Sequence, residues 1–375
     1  MAEPVVEAVA ARVADPPKIS DLAAFLKRAR AVVPVAVVGL FLLGLVAFLY
    51  FAKFFVMPIV LALFLTFLLK PVVGALARLR IPEVLGATIV IAVFLALISF
   101  AATQLLPPAA QWTAKAPETL ERARERFRMV LRRAERLSRA AAQVQDMAKS
   151  TTDETTQKVE VKPPPVLMNA VFTYTKSFAA SSIETFVLLF FMLASGDLFL
   201  QKLVRILPTL RDKKSAVAIA NEVQQSISAF LFTITLINAL LGLLVGLAAF
   251  FVGLPNPVLW GVLAGVLNFI PYFGPITGVV VLLIAGFITF DSSPRAIVPC
   301  VIYLGLHAVE SNFITPMILG RRLTLNPLVI FISLMFWTWL WGISGALLSI
   351  PMLMMLKILC DHFKPLSPVG ELLSG

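Results

Sequence analysis

Long apolar runs separated by short basic loops set the pattern of this chain. The runs are apolar on every side, whereas the strands of a membrane barrel alternate, so they read as helices. Crossing a bilayer core of about 30 Å takes roughly 20 helical residues. Runs at 31–52, 84–106, 178–196 and 229–252 have about that length, and a further span at 54–69 follows a short turn at Lys53. The run at 84–106 is expected to end at Pro107 and Pro108, since proline lacks the amide donor that a helix interior needs.

The pattern changes toward the C-terminal side. Runs 258–270 and 276–290 are each too short to cross the core alone. Between them lies NFIPYFGPITG, with two prolines and two glycines in eleven residues. A re-entrant hairpin or a broken helix fits both halves. The run 295–310 leads back, and 327–341 with 343–357 form another split pair joined at Trp341 and Gly342. The expected fold is therefore an all-α polytopic membrane protein of about eight helical segments plus short broken or re-entrant helices.

One segment breaks the apolar pattern, 107–168. Within it Phe127, Val130, Leu131, Ala134 and Leu137 recur at three- and four-residue spacing among Arg and Glu, the pattern of an amphipathic helix. The organisation reads as a tail at 1–30, three spans at 31–106, an extracytoplasmic helical insert at 107–168, a fourth span at 169–196, a basic amphipathic cytoplasmic segment at 197–228, a core with broken helices at 229–363 and a tail at 364–375.

Composition agrees with a membrane protein: 59% of residues are hydrophobic and 14% charged, with mean hydropathy +0.92. The net charge of +11 needs no nucleic-acid partner. Its cations collect in short loops, as Lys27, Arg28 and Arg30, then Lys70, Arg78 and Arg80, then Lys202, Arg205, Arg211, Lys213 and Lys214. By the positive-inside rule these loops and both termini face the cytoplasm, and the long insert lies outside despite its arginines. The N-terminus lacks a compact apolar core after a basic start, so the first span is expected to direct insertion. Cys300 and Cys360 lie in or beside apolar runs and suggest no disulfide framework.

Non-helical backbone survives at membrane depth only where protein or a water-filled cavity surrounds it. NFIPYFGPITG should therefore be enclosed. Pro271 and Pro275 remove donors, Gly274 permits a tight turn, and Asn268 and Tyr272 add polar groups. The break serves either as a packing turn or as a place where freed carbonyls and helix ends face a polar solute or ion.

Glu310 is the sharpest single candidate, at the end of IVPCVIYLGLHAVE, with His307 one turn before and Asn312, Thr315 and Pro316 after. A carboxylate so near hydrocarbon is a proton or cation site, an anchor for solute hydroxyls, or the partner of Arg321 or Arg322. His307 is a packing histidine or, against Glu310, half of a titrating pair. Asn326 before Pro327 is a helix cap or a second helix end facing the first break, with Gly342 as the hinge of the later pair. Asn238, alone in its span, would bond a neighbouring helix or line a solute path. Glu184 reads as solvated, and Trp337, Trp339 and Trp341 as an interfacial belt.

PNPVLWGVLAGVLNFIPYFGPITG, followed by ESNFITPMILGRRLTLNPLVIFISLMFWTWLWGISGALLSIPML, resembles the autoinducer-2 exporter family, also described as PerM-type permeases. The likeness runs from the second span to about residue 363 and is densest over 253–351. It implies a multi-span inner-membrane protein that exports a small polar molecule such as a quorum-sensing signal, and some members are similar to sodium or lithium/proton antiporters.

No GxxxxGK[ST], HExxH, CxxC or GxSxG occurs, so the commonest nucleotide, metal and hydrolase signatures are absent and no enzyme, cofactor or metal is expected. Three classes stand: a secondary transporter coupled to protons or sodium through Glu310, a passive channel, and a membrane scaffold acting through the insert. The insert's unpaired apolar stripe suggests a homo-oligomer.

Overall fold

The structure, a computed structural model, describes residues 36–142, 182–196, 198–319 and 325–375. The basic cluster at Lys27, Arg28 and Arg30, and Arg321 and Arg322, lie outside the described residues, as does the insert from 143 to 168. The fold is all-α. The helices are α1 Ala36–Phe51 and α4 Ser182–Ala194, with α2 Lys53–Arg78, α3 Glu83–Ala142, α5 Leu198–Ile206, α6 Leu210–Val252, α7 Pro257–Leu267, α8 Phe273–Thr289 and α9 Ser293–Val309. A π-helical turn, Glu310–Ile314, joins α9 to α10 Thr315–Leu319, and α11 Pro327–Trp341, α12 Ile343–His362 and α13 Ser367–Leu373 follow. Extended pairing among the described residues is one isolated bridge, Leu325 to Ser374.

Five helical stretches among the described residues are long and apolar enough to cross a membrane: Lys53–Arg78, Glu83–Trp112, Leu210–Val252, Pro294–Ile318 and Ile343–His362. Their outward faces carry large apolar side chains such as Phe232, Leu243, Phe251 and Val301 in the open. That exterior suits lipid and not water. Together with the span lengths, it makes this a multi-pass membrane protein.

Two helices run further than the sequence pattern suggested. Helix α3 continues through Pro107 and Pro108 to Ala142, 60 residues in all. Good helix formers on both sides carry it across the two missing donors. The Phe127–Leu137 stripe belongs to this helix, though its side chains are outside the described set. Helix α6 is likewise one helix of 43 residues, so the basic amphipathic segment and the fifth span are a single rod. Thr209 caps it by accepting from the Asp212 amide at 3.1 Å, and Gly253, at φ 82°, closes its other end.

The chain divides within α2 into two units, Met1–Val56 and Met57–Gly375. The first holds α1 and the start of α2, where Lys53 Nζ lies 5.3 Å from the Tyr50 ring centroid. In the second, α2, α3 and α4 share one apolar cluster, with Ala62, Ala87 and Leu189 at its centre. Helices α6 to α9 share another around Val245, Trp260, Leu282 and Tyr303. Helix α12 packs on α2 and α6 through Leu348, Ile227 and Phe64. Pro71 in α2 cannot donate to the Phe67 carbonyl one turn back, and the Ser228 hydroxyl of α6 donates to that carbonyl instead.

The two short pairs are built alike. Both turns need glycine because backbone approaches too closely for a side chain: a Cβ on Gly274 would collide with the Leu267 carbonyl, and one on Gly345 with the Trp337 carbonyl. The second turn also encloses Trp341, which is only 6% exposed and whose ring lies 5.0 Å from that of Trp337. Trp341 therefore does not join an interfacial belt, while Trp339 faces outward. Glu184 is exposed, and Cys300 and Cys360 are buried free thiols.

Candidate functional site

The break after α7 tightens step by step. The Phe269 and Ile270 amides donate to the Val266 and Leu267 carbonyls, three residues back, so the helix narrows before Pro271. The Phe273 amide then donates to the Pro271 carbonyl at 2.6 Å. That makes Tyr272, at φ 62° and ψ −54°, the centre of a γ-turn with positive φ, a rare and strained geometry for a side chain larger than glycine. Strain of this kind persists only where the surroundings hold it, and it gathers at working sites.

Opposite the break, α9 runs into the π-turn rather than ending at Glu310. Pro316 removes one further amide donor, and the wide turn is closed by the Thr315 amide donating to the Glu310 carbonyl. The extra residue swings Glu310 inward, where it is 6% exposed. Single π-turns inside α-helices often mark functional positions.

His307, Thr315 and Asn268 gather around this carboxylate at the cavity, and Tyr303 stands behind His307. His307 Nδ1 lies 3.3 Å from Oε2, and the Thr315 hydroxyl donates to Oε1. Asn268, from the break, lines the same cavity as the carboxylate, and its Nδ2 donates to Asn238 Oδ1 at 2.9 Å. Tyr303, one turn before His307, stacks on the imidazole with centroids 6.2 Å apart and planes at 16°. Polar side chains of α6, the break, α9 and α10 are thus gathered together.

This cluster forms one end of a cavity of about 580 Å³. Pro271, Tyr272 and Pro275 line it from the break, Ile330 from α11, and Leu347 and Pro351 from α12. The remaining wall is apolar, with Phe230 and Ile234 of α6 and Leu325. A depression of similar volume, about 590 Å³, follows α6 and α7, but apart from Thr235 and Asn238 its walls are apolar or glycine and none carries charge. The first cavity is where the chemistry lies.

The expected site residues separate into two groups. Asn268, Tyr272, His307, Glu310 and Thr315 come together at the cavity, with Pro271 and Pro275. Asn312 does not reach it; its amide donates to the Ala308 carbonyl at 2.8 Å. Asn326 caps α11, accepting from the Leu328 amide at 3.0 Å, and its neighbour Leu325 lines the cavity instead. Pro316 is exposed, and Gly342, at φ 65°, joins α11 to α12 without lining the cavity. Arg321 lies outside the described residues. Tyr303 was not foreseen, although its place one helical turn before His307 was a usable signal.

Among the described residues no cluster of His, Cys, Asp and Glu could hold a metal ion. What the arrangement offers is a buried carboxylate that accepts from Thr315 beside an imidazole, at the edge of an apolar chamber large enough for a small organic solute.

The profile of the AI-2E family transporter matches residues 40–364. The AI-2 transport protein TqsA of Escherichia coli (strain K12) is 27% identical over 325 residues, 86% of this chain and 90% of that protein. A Borreliella burgdorferi protein whose name provisionally assigns it to transport is 30% identical over 199 residues, 53% of this chain. YrrI of Bacillus subtilis, named in the same general way, is 33% identical over 177 residues, 47% of this chain. The chain spans 55% and 49% of the length of these last two relatives.

Proposed function

The chain belongs to the AI-2E transporter family, and on that premise we propose that it is a secondary transporter that moves a small polar solute of the autoinducer-2 kind outward, driven by the proton gradient. The observation that carries this reading is Glu310, a buried carboxylate on a π-turn at the wall of the cavity, facing the break. Its surroundings favour a proton over sodium as the coupling ion. The Thr315 hydroxyl donates to the carboxylate and the His307 imidazole lies 3.3 Å from it, a neighbour that can share a proton, whereas a hard cation needs oxygen acceptors around it. The solute would set its hydroxyls against Asn268, Tyr272 and Glu310 and its carbon face against the apolar wall.

The same reading puts the protein in the cytoplasmic membrane of a bacterium, with both termini and the basic loops inside, and as a homo-oligomer. Relatives named for transport support a role without catalysis. The test is flux of autoinducer-2 in proteoliposomes with imposed proton or sodium gradients, comparing the wild type with Glu310→Gln. Proton-driven flux that disappears in the variant is the expected result. Equal flux in both proteins, indifferent to either gradient, would overturn it in favour of a passive pore, and flux that follows sodium alone would replace the ion.

A further inference from the structure

Helices α6 to α9 form two glycine-locked pairs. A Cβ on Gly242 would lie 2.8 Å from the Gly261 carbonyl, and one on Gly265 2.8 Å from the Asn238 carbonyl, so α6 and α7 touch through their backbones. On the other side, a Cβ on Gly278 would lie 2.5 Å from the Tyr303 hydroxyl, and one on Gly286 would strike the Ala296 carbonyl, so α8 and α9 are held as closely. The break at 268–272 is the covalent joint between the pairs.

Their seam has an opening at each end. The cavity with Glu310 lies at the joint. At the other end of α8, a distance of about 25 Å for 17 helical residues, a second pocket of about 310 Å³ is lined by Gln111, Trp112, Pro255, Asn256, Ile288 and Thr289. Between them the seam is sealed by apolar side chains from all four helices, Val245, Trp260, Leu282 and Tyr303 among them. The void within this seal measures about 10 Å³, the lower limit for a single water.

The far pocket has its own recognition chemistry. None of its lining residues is ionisable. Gln111 and Asn256 each bring an amide that both donates and accepts, and Asn256 does not spend its side chain on capping α7. The Thr289 hydroxyl is buried without a hydrogen-bond partner, a costly state unless a ligand supplies one. The frame is stiff: Trp112 meets Trp260 edge-on at 5.0 Å, and Trp260 Nε1 donates to the Pro255 carbonyl at 2.7 Å. Paired donors and acceptors without charge suit a small uncharged polyhydroxylated molecule.

We propose that this far pocket is a second solute-binding site, separated from the Glu310 cavity by the apolar seal and taking the same small polyhydroxylated solute on its way across. The identity of the solute rests on the transport reading above; the existence of the site does not depend on Glu310.

The test uses Ile288→Cys, a lining position that supplies no hydrogen bond, in the full chain with Cys300→Ala and Cys360→Ala, held in lipid nanodiscs and labelled with a water-soluble thiol reagent. Autoinducer-2 should slow labelling in a saturable way. Thr289→Val should raise the half-protecting concentration about fivefold, the worth of one neutral hydrogen bond, and Thr289→Ser should restore it. Glu310→Gln should leave protection intact, even where it abolishes gradient-driven flux. Labelling that autoinducer-2 never slows overturns the proposal. Protection that vanishes with Glu310→Gln yet ignores Thr289→Val also overturns it, because the signal would then come from the near cavity.

Discussion

The Asn268 amide donates to the Asn238 carbonyl oxygen at 2.9 Å, across a gap of thirty positions in the sequence, and so fastens the break after α7 to the long helix α6. Asn238 is 1% exposed, so the bond is made away from bulk solvent. The pair anchors the break to α6, and Asn268 lines the cavity that Glu310 also lines.

Asn238→Leu should therefore act at a distance. Losing the acceptor is expected to cost about 1 kcal/mol of stability, seen as a lower unfolding temperature in detergent. Solute flux should fall as well, because Asn268 is no longer held in place at the cavity wall. A variant as stable and as active as wild type would show that the pair does not position the break.

Thr315→Val removes the hydroxyl that donates to Glu310. Hydrogen bonds to charged groups contribute about 1.5–3 kcal/mol, so gradient-driven flux is expected to drop by roughly ten- to a hundredfold. Thr315→Ser should recover most of it. Failure of serine to rescue would point to the methyl group and to packing.

The glycines separate into demanding and tolerant positions. Gly265→Ala should destabilise by about 1–3 kcal/mol, since its Cβ would sit 2.8 Å from the Asn238 carbonyl and force α6 from α7. Gly74→Ala and Gly305→Ala meet nothing within 4 Å and should be neutral or stabilising by up to about 1 kcal/mol. Thermal unfolding of the three variants side by side decides the matter.

Ser228 and Pro71 should be coupled. Ser228→Ala alone strips the Phe67 carbonyl of its donor and is expected to cost about 1 kcal/mol or more. Pro71→Ala restores a backbone amide to that carbonyl, after which Ser228→Ala should cost much less. Additive effects in this double-mutant cycle would mean that the hydroxyl does not replace the missing amide.

How far the sequence could be read depended on what kind of signal each feature leaves. The short pairs were legible because proline and glycine mark them, and α7, α8, α11 and α12 begin and end within a few residues of the expected runs. The single rod of α6 was not, because hydropathy changes abruptly near residue 228 while helical geometry does not. Pro107 and Pro108 misled in the opposite direction: the rule against interior proline is an energy, and a 60-residue helix can absorb it. The candidate residues of the cavity were visible as polar groups in apolar runs. Their convergence was not, since the π-turn that swings Glu310 inward leaves only Pro316 as a trace, and the partner of Asn268 lies on a different helix.

One wall of the cavity is held by the C-terminal segment. Leu325 lines the cavity and is bridged to Ser374, the Asn326 amide donates to the Leu373 carbonyl at 3.2 Å, and Leu373 is buried beside Phe230 and Met354. For anyone preparing the protein this decides where a purification handle can go. A tag fused directly to Gly375 would pull on the strap that shapes the chamber, so affinities measured with it would describe a loosened version. A flexible spacer there, or a tag cut away before assay, keeps the chamber as it folds.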